Sequence, residues 1–98
     1  MPSPSQAGQL VGGYSEASVT NTEVVAAAQF AVNALAAMPE RMPDITLVEI
    51  LSAGQQVVAG MNYRLRLKLK VDGKERDVEV VVWRKLDGEH QLTSRAWK

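Results

Sequence analysis

The chain contains no cysteine. That absence excludes a disulfide framework, a thiol nucleophile and a thiolate metal site. Nor is there an excess of charge of either sign, since eleven basic residues face eleven acidic ones for a net charge of zero. A protein held to nucleic acid or to a membrane by bulk charge is not built that way, so neither partner is expected. No stretch approaches the roughly eighteen consecutive apolar residues of a membrane-spanning helix. The opening MPSPSQAGQL lacks the basic region and apolar run of a secretory leader. The expectation is a cytoplasmic chain, or a secreted one whose leader has been removed. Histidine is almost missing: His90 is alone. No nucleophile signature, acid–base cluster or metal-ligand spacing accompanies it, so no enzyme, cofactor or metal centre is expected.

What is present suffices for one domain. Ninety-eight residues, 46% of them apolar, can bury one modest core. The domain is expected over 1–98, with 1–8 a flexible tail poor in pattern. Thr20-Asn21-Thr22-Glu23 has the spacing of a capping box, a hydroxyl followed three places later by glutamate. It predicts a helix to about Met38, with Val25, Ala28, Val32 and Leu35 on the buried face, flanked by Val24 and Ala31. Its alanine content makes it slim enough to lie close to a sheet. Phe30 falls off that stripe, so it is expected to be partly exposed or covered by something else. Pro39 and Pro43 end the helix.

Beyond Pro43 the period falls to two. Ile45 to Leu51 is strand-like. In the next stretch Met61, Tyr63, Leu65, Leu67, Leu69 and Val71 alternate with Asn62, Arg64, Arg66, Lys68 and Lys70, which is a half-buried antiparallel strand. Its basic face is read as solvated, balanced across strands by Asp77 and Glu79. Asp72-Gly73 is a hairpin signal. Val78, Val80 and Val82 continue the core phase while Trp83 takes the other face, and Asp87-Gly88 leads to a last strand, His90 to Trp97. The fold class is α+β: four to five antiparallel strands wrapped around one long helix.

Strand direction then makes a prediction about place. In a meander, Asp72-Gly73 lies at one end of the sheet, and the Gln56-Val57-Val58-Ala59-Gly60 and Trp83–His90 connections lie together at the other. Leu10-Val11-Gly12-Gly13 is the third feature that can reach that end. Each is ambiguous alone. An apolar turn can be packing under a loop, a tryptophan is commonly core, and a glycine pair is commonly a linker. Together, exposed apolar groups on one edge mark a binding site for a macromolecule.

These residues resemble the cystatin superfamily of cysteine-protease inhibitors, and the absence of cysteine resembles its disulfide-free, stefin-like or plant-type branches. Gln56 to Gly60 is similar to the family's Gln-x-Val-x-Gly hairpin, Gly12 to the glycine of its N-terminal trunk, Gln29-Phe30-Ala31-Val32-Asn33 to its helix, and Trp83 to the tryptophan of its Pro-Trp second hairpin. Val82 stands where many members have proline, and no Ser-Asn-Asp motif follows the helix, so only papain-type inhibition is implied. The resemblance implies reversible, competitive, tight binding in the active-site cleft of papain-like proteases through Leu10, Val11, Gly12, Gly13, Gln56, Val57, Val58, Ala59, Gly60, Val82 and Trp83. The alternative is a non-inhibitory binding module on the same scaffold, favoured by the missing proline and the charged second connection. A monomer is expected. A domain-swapped dimer becomes accessible if the hairpin holds β-branched Val58 in a strained backbone shape.

Overall fold

The computed structural model describes residues 13–38 and 44–98. The tail expected over 1–8, and Pro39 and Pro43, lie outside them. The elements in order are β1 (Ser15–Glu16), α1 (Thr22–Ala36), β2 (Ile45–Val58), β3 (Gly60–Val71), β4 (Lys74–Arg84) and β5 (His90–Trp97). The strands form one sheet in sequence order, β1-β2-β3-β4-β5, and every pairing is antiparallel. The α+β class and the meander are as the alternation predicts.

The helix starts one residue later than the capping-box reading places it. Asn21 is the cap: its side-chain oxygen accepts from the Glu23 N–H at 2.7 Å. The Thr20 hydroxyl is engaged with Ser18 Oγ at 2.8 Å instead. Asparagine satisfies an orphan N–H at least as well as threonine, so the sequence offered two adjacent caps. The buried face is also rotated. It comprises Val24, Ala27, Ala28, Ala31, Val32 and Leu35, while Val25 is 38% exposed. The cause is the triple alanine: Ala27, Ala28 and Ala31 are all fully buried, so the face nearest the sheet is the one with the smallest side chains.

Opposite that face stand Tyr63, Leu65, Leu67 and Leu69 of β3 and Val78, Val80 and Val82 of β4, with Ala53 of β2. Each large aliphatic side chain taken wholly from water stabilises the fold by about 1.5–3 kcal/mol. Phe30 finds its cover in His90, their rings stacked at 5.4 Å between centroids.

Strand β2 runs past the expected end at Leu51 to Val58, and two irregularities interrupt its pairing with β3, between Leu47 and Glu49 and between Ile50 and Ser52. The residues turned to the core are therefore Ile45, Leu47, Ile50 and Ala53. Their spacing is not two throughout, which is how bulges disguise a long strand. The Asp72-Gly73 turn forms as expected, with φ of 51° and 82°, the left-handed pair that matches strand twist in a two-residue hairpin.

On the outer face the basic residues of β3 meet acids across the strands. Arg64 pairs with Glu79 at 3.9 Å and Lys68 with Glu75 at 4.0 Å, while Lys98 reaches Glu79 at 3.5 Å. Glu79 acts as expected. Asp77 is opposite Lys68 in register, but the ion pair goes to Glu75. These pairs are partly exposed and long, and contribute little to stability.

Candidate functional site

The first hairpin is narrower than a loop. Val57 pairs with Met61 and Val58 with Gly60, leaving Ala59 alone at the bend. The apolar residues are thus strand residues carried to the tip, which answers why a turn should be greasy: only one of them turns. Val57 is 80% exposed and Val58 is also exposed. Lower on the same ribbon, Asn62 Nδ2 donates to Gln56 Oε1 at 3.0 Å, across a register pair.

Gly60 cannot be another residue. Its φ is +98°, and a Cβ there would stand 2.1 Å from the Arg84 carbonyl oxygen. The two hairpins therefore touch backbone to side-chain position, with no room between them. Trp83 closes the contact from the other strand: its indole Nε1–H donates to the Ala59 carbonyl at 2.8 Å. The indole is half-buried, on the face opposite the core, and Lys85 Nζ lies 5.6 Å from its centroid. Arg84 is anchored in turn by Glu23 at the helix start, at 3.3 Å. Burial, and then the Glu23 carboxylate, push the Tyr63 phenol above its usual value of 10.0, while Arg84 draws it back.

The second connection is a closed turn. The Lys85 N–H donates to the Glu89 carbonyl at 2.7 Å, the Gly88 N–H to the Lys85 carbonyl at 2.9 Å, and the Glu89 N–H to Asp87 Oδ1 at 2.9 Å. At its tip Leu86 is 83% exposed. The sequence reading missed Leu86. Its signal was an aliphatic residue set between Lys85 and Asp87, outside any alternating run, where no core can claim it.

Gln56, Val57, Val58, Ala59, Gly60 and Trp83 thus come together at one end of the sheet. Gly13 leads to the same end: Ser15 lies opposite Gln55 and Glu16 opposite Gly54, so the antiparallel direction carries Gly13 and Tyr14 towards the first hairpin. Leu10, Val11 and Gly12 lie outside the described residues. Val82 does not belong to the surface. It is fully buried, between Tyr63 and Leu92 in register, because β4 alternates strictly from Val78 to Trp83 and Val78, Val80 and Val82 all face the core. It therefore offers a partner no contact area. The left-handed strain at Val58 on which a domain swap is conditional is not seen. Among the described residues Asp72 is the one non-glycine residue with positive φ, and at the first hairpin Gly60 takes the left-handed conformation.

His90 serves a packing role, its ring against Phe30 and its Nε2 buried without a partner among the described residues. What the end of the sheet offers is contact: two hairpin tips, the first with Val57 and Val58 in solvent and the second with Leu86, joined by a tryptophan.

Comparison with known proteins gives a consistent result. A family model described as the cystatin domain matches residues 12–95. L-cystatin of Tachypleus tridentatus is 38% identical over 58 residues, which are 59% of this chain and 44% of that protein. The chain thus matches less than half the length of that relative. Among solved structures, Al-CPI superposes with a TM-score of 0.72 at 23% identity, covering 89% of this chain and 100% of that one. The salivary cystatin of the soft tick Ornithodoros moubata gives 0.76 at 19% identity, over 90% of this chain and 98% of that one. Mialostatin, a gut cystatin of the hard tick Ixodes ricinus, gives 0.75 at 17% identity, over 88% and 97%. At these identities the structural likeness is one of fold.

Proposed function

The chain belongs to the cystatin family, and from that premise we propose that it is a reversible, competitive inhibitor of papain-like cysteine proteases. The observation that carries the reading is the joined edge: Val57 at 80% and Leu86 at 83% exposure, on hairpins held together by the 2.8 Å bond from Trp83 to Ala59. Exposed aliphatic groups on a preformed edge lose little entropy on docking, so a modest contact area suffices for tight binding. In this reading Leu10 and Val11 fill apolar pockets on the non-primed side of the cleft. Gly12 and Gly13 let the backbone pass the catalytic cysteine and turn away. No peptide carbonyl is presented in a near-attack geometry, so the inhibitor binds without being cleaved. Val57, Val58 and Ala59 rest on the primed side, with Gln56 and Gly60 shaping the hairpin beneath them.

Titration of papain with the protein tests the reading directly. Stoichiometric, reversible loss of activity is expected, overcome by excess substrate, and weakened by Gly12→Trp. Full papain activity at a large excess of the protein would refute it. The alternative, a non-inhibitory binding module, draws on Lys85, Asp87 and Glu89 around the second tip, and the same titration separates the two.

A further inference from the structure

The segment that enters the sheet at Gly13 is held by little backbone structure. Strand β1 has two residues, both exposed, and two register pairs, Ser15 with Gln55 and Glu16 with Gly54. One further bond follows, from the Ala17 N–H to the Ala53 carbonyl at 2.9 Å. So short and exposed an edge belongs to the part of a fold that opens most readily. What secures it is a side chain. Tyr14 is half-buried between exposed Gly13 and exposed Ser15, and the Arg64 guanidinium carbon lies 4.4 Å from its ring centroid, a cation–π contact. Arg64 belongs to β3, so it reaches past β2 to touch the start of β1. It does so at Gly54, its register partner, which stands opposite Glu16 on the other side. A Cβ on Gly54 would lie 3.4 Å from Tyr14 Cβ and 3.6 Å from its Cδ2, so the ring covers the place of the missing side chain. Gly54 is not among the glycines with positive φ; what it supplies is clearance. Arg64 is held from the far side by Glu79 at 3.9 Å, and Glu79 also holds Lys98 at 3.5 Å.

We propose that Tyr14 is a positioning residue for Leu10 and Val11: clasped by Arg64 across Gly54, it fixes the point from which the chain before it leaves the sheet. The proposal rests on the inhibitor reading and adds to it a residue that acts through the apolar pair without itself filling a pocket. Gly12-Gly13 joins that pair to Tyr14, and a glycine pair transmits little order along a backbone. Each residue that must be fixed on docking lowers affinity. An anchor at Tyr14 confines that cost to the residues before it.

The test uses the full chain against papain, with Tm measured for each variant. Tyr14→Ala is expected to weaken binding about five- to thirtyfold, the cost of fixing one more backbone residue on docking. Arg64→Met keeps a long side chain and removes the cation. It is expected to weaken binding about two- to fivefold, the range of an exposed cation–π contact. Tyr14→Phe keeps the ring and should bind as the parent does. Because Tyr14 acts through the apolar pair, Tyr14→Ala should cost much less in a chain that already carries Leu10→Ala and Val11→Ala. NMR relaxation of the free protein gives a readout without protease: the Gly13 and Ser15 amides should lose order in Tyr14→Ala and Arg64→Met and keep it in Tyr14→Phe. If Tyr14→Ala binds as the parent does while the Leu10 and Val11 substitutions weaken binding, the positioning role fails and the inhibitor reading stands. If the factors simply multiply, Tyr14 does not act through the pair and the proposal fails. Amide order unchanged in Arg64→Met would show that no clasp exists. If the parent itself does not bind papain, the inhibitor reading fails and the positioning role with it, and the relaxation data alone report on the clasp.

Discussion

Replacing Gly60 by alanine puts the joined-edge geometry to a quantitative test. Two costs are visible at that position. The first is conformational. At φ +98° an L-residue with a Cβ pays about 1–2 kcal/mol. The second is steric. The new methyl would lie 2.1 Å from the Arg84 oxygen, so the hairpins must part by at least about 1 Å to restore ordinary van der Waals contact. Parting by that much carries the 2.8 Å bond from Trp83 to Ala59 beyond hydrogen-bond range and forfeits about 1 kcal/mol more. The sum is about 2–3 kcal/mol, or a Tm lowered by roughly 10–20 °C for a domain of this size. Gly73 supplies the control. Its φ is +82°, but nothing lies within 4 Å of an added Cβ, so Gly73→Ala should show the conformational cost alone, about 1–2 kcal/mol. Denaturant unfolding of both variants, followed by circular dichroism, measures the difference. Gly60→Ala as stable as Gly73→Ala would mean that the hairpins do not touch as described.

The helix cap can be read from two substitutions. Asn21→Ala should cost about 1 kcal/mol in chemical unfolding, and Thr20→Ala much less, since its hydroxyl bonds only Ser18; equal losses would return the cap to Thr20. Val57→Asp should lower affinity for papain by at least tenfold at unchanged Tm, because its side chain lies in solvent in the free protein and no core contact changes; an affinity equal to the parent's would remove Val57 from the contact. For Tyr63, burial and Glu23 raise the phenol above 10.0, so in alkali the unfolded chain ionises first. Stability from this group is fully present below pH 10 and falls as pH rises through the folded-state value. Ultraviolet titration of a Tyr14→Phe variant should show the remaining phenol ionising above 10.0, and Glu23→Gln should move it downward; an unmoved midpoint would deny that Glu23 faces it.

The edge and the core differed in how far local pattern could show them. Strand β3 was legible because one face is Leu65, Leu67 and Leu69 and the other is arginine and lysine, and a period of two has one structural meaning. The last strand and the Asp72-Gly73 turn were legible for the same local reasons. Strand β2 was legible only to Leu51, since Ser52-Ala53-Gly54-Gln55-Gln56 carries small and polar residues with no apolar alternation, although it pairs with β3 without interruption. The helix was found but its face was misjudged by one position. A hydrophobicity pattern ranks valine above alanine, whereas the sheet accepts the side that lets the backbones come nearest.

At the candidate site, Gln56 to Gly60 and Trp83 were marked by composition and resemblance, and strand direction alone brought them to one end. Local chemistry and alternation, properties each segment carries before it folds, sufficed for the α+β class, the order of the four long strands and that convergence, but not for the short β1 at the sheet edge. Tertiary structure decided the rest: that Val82 is sealed beneath the sheet, that Leu86 stands in water, that Gly60 must be glycine because of a carbonyl 24 residues downstream, and that one indole N–H ties the two tips together. Those depend on which atoms meet across strands, and a chain read in one dimension holds no distances between them.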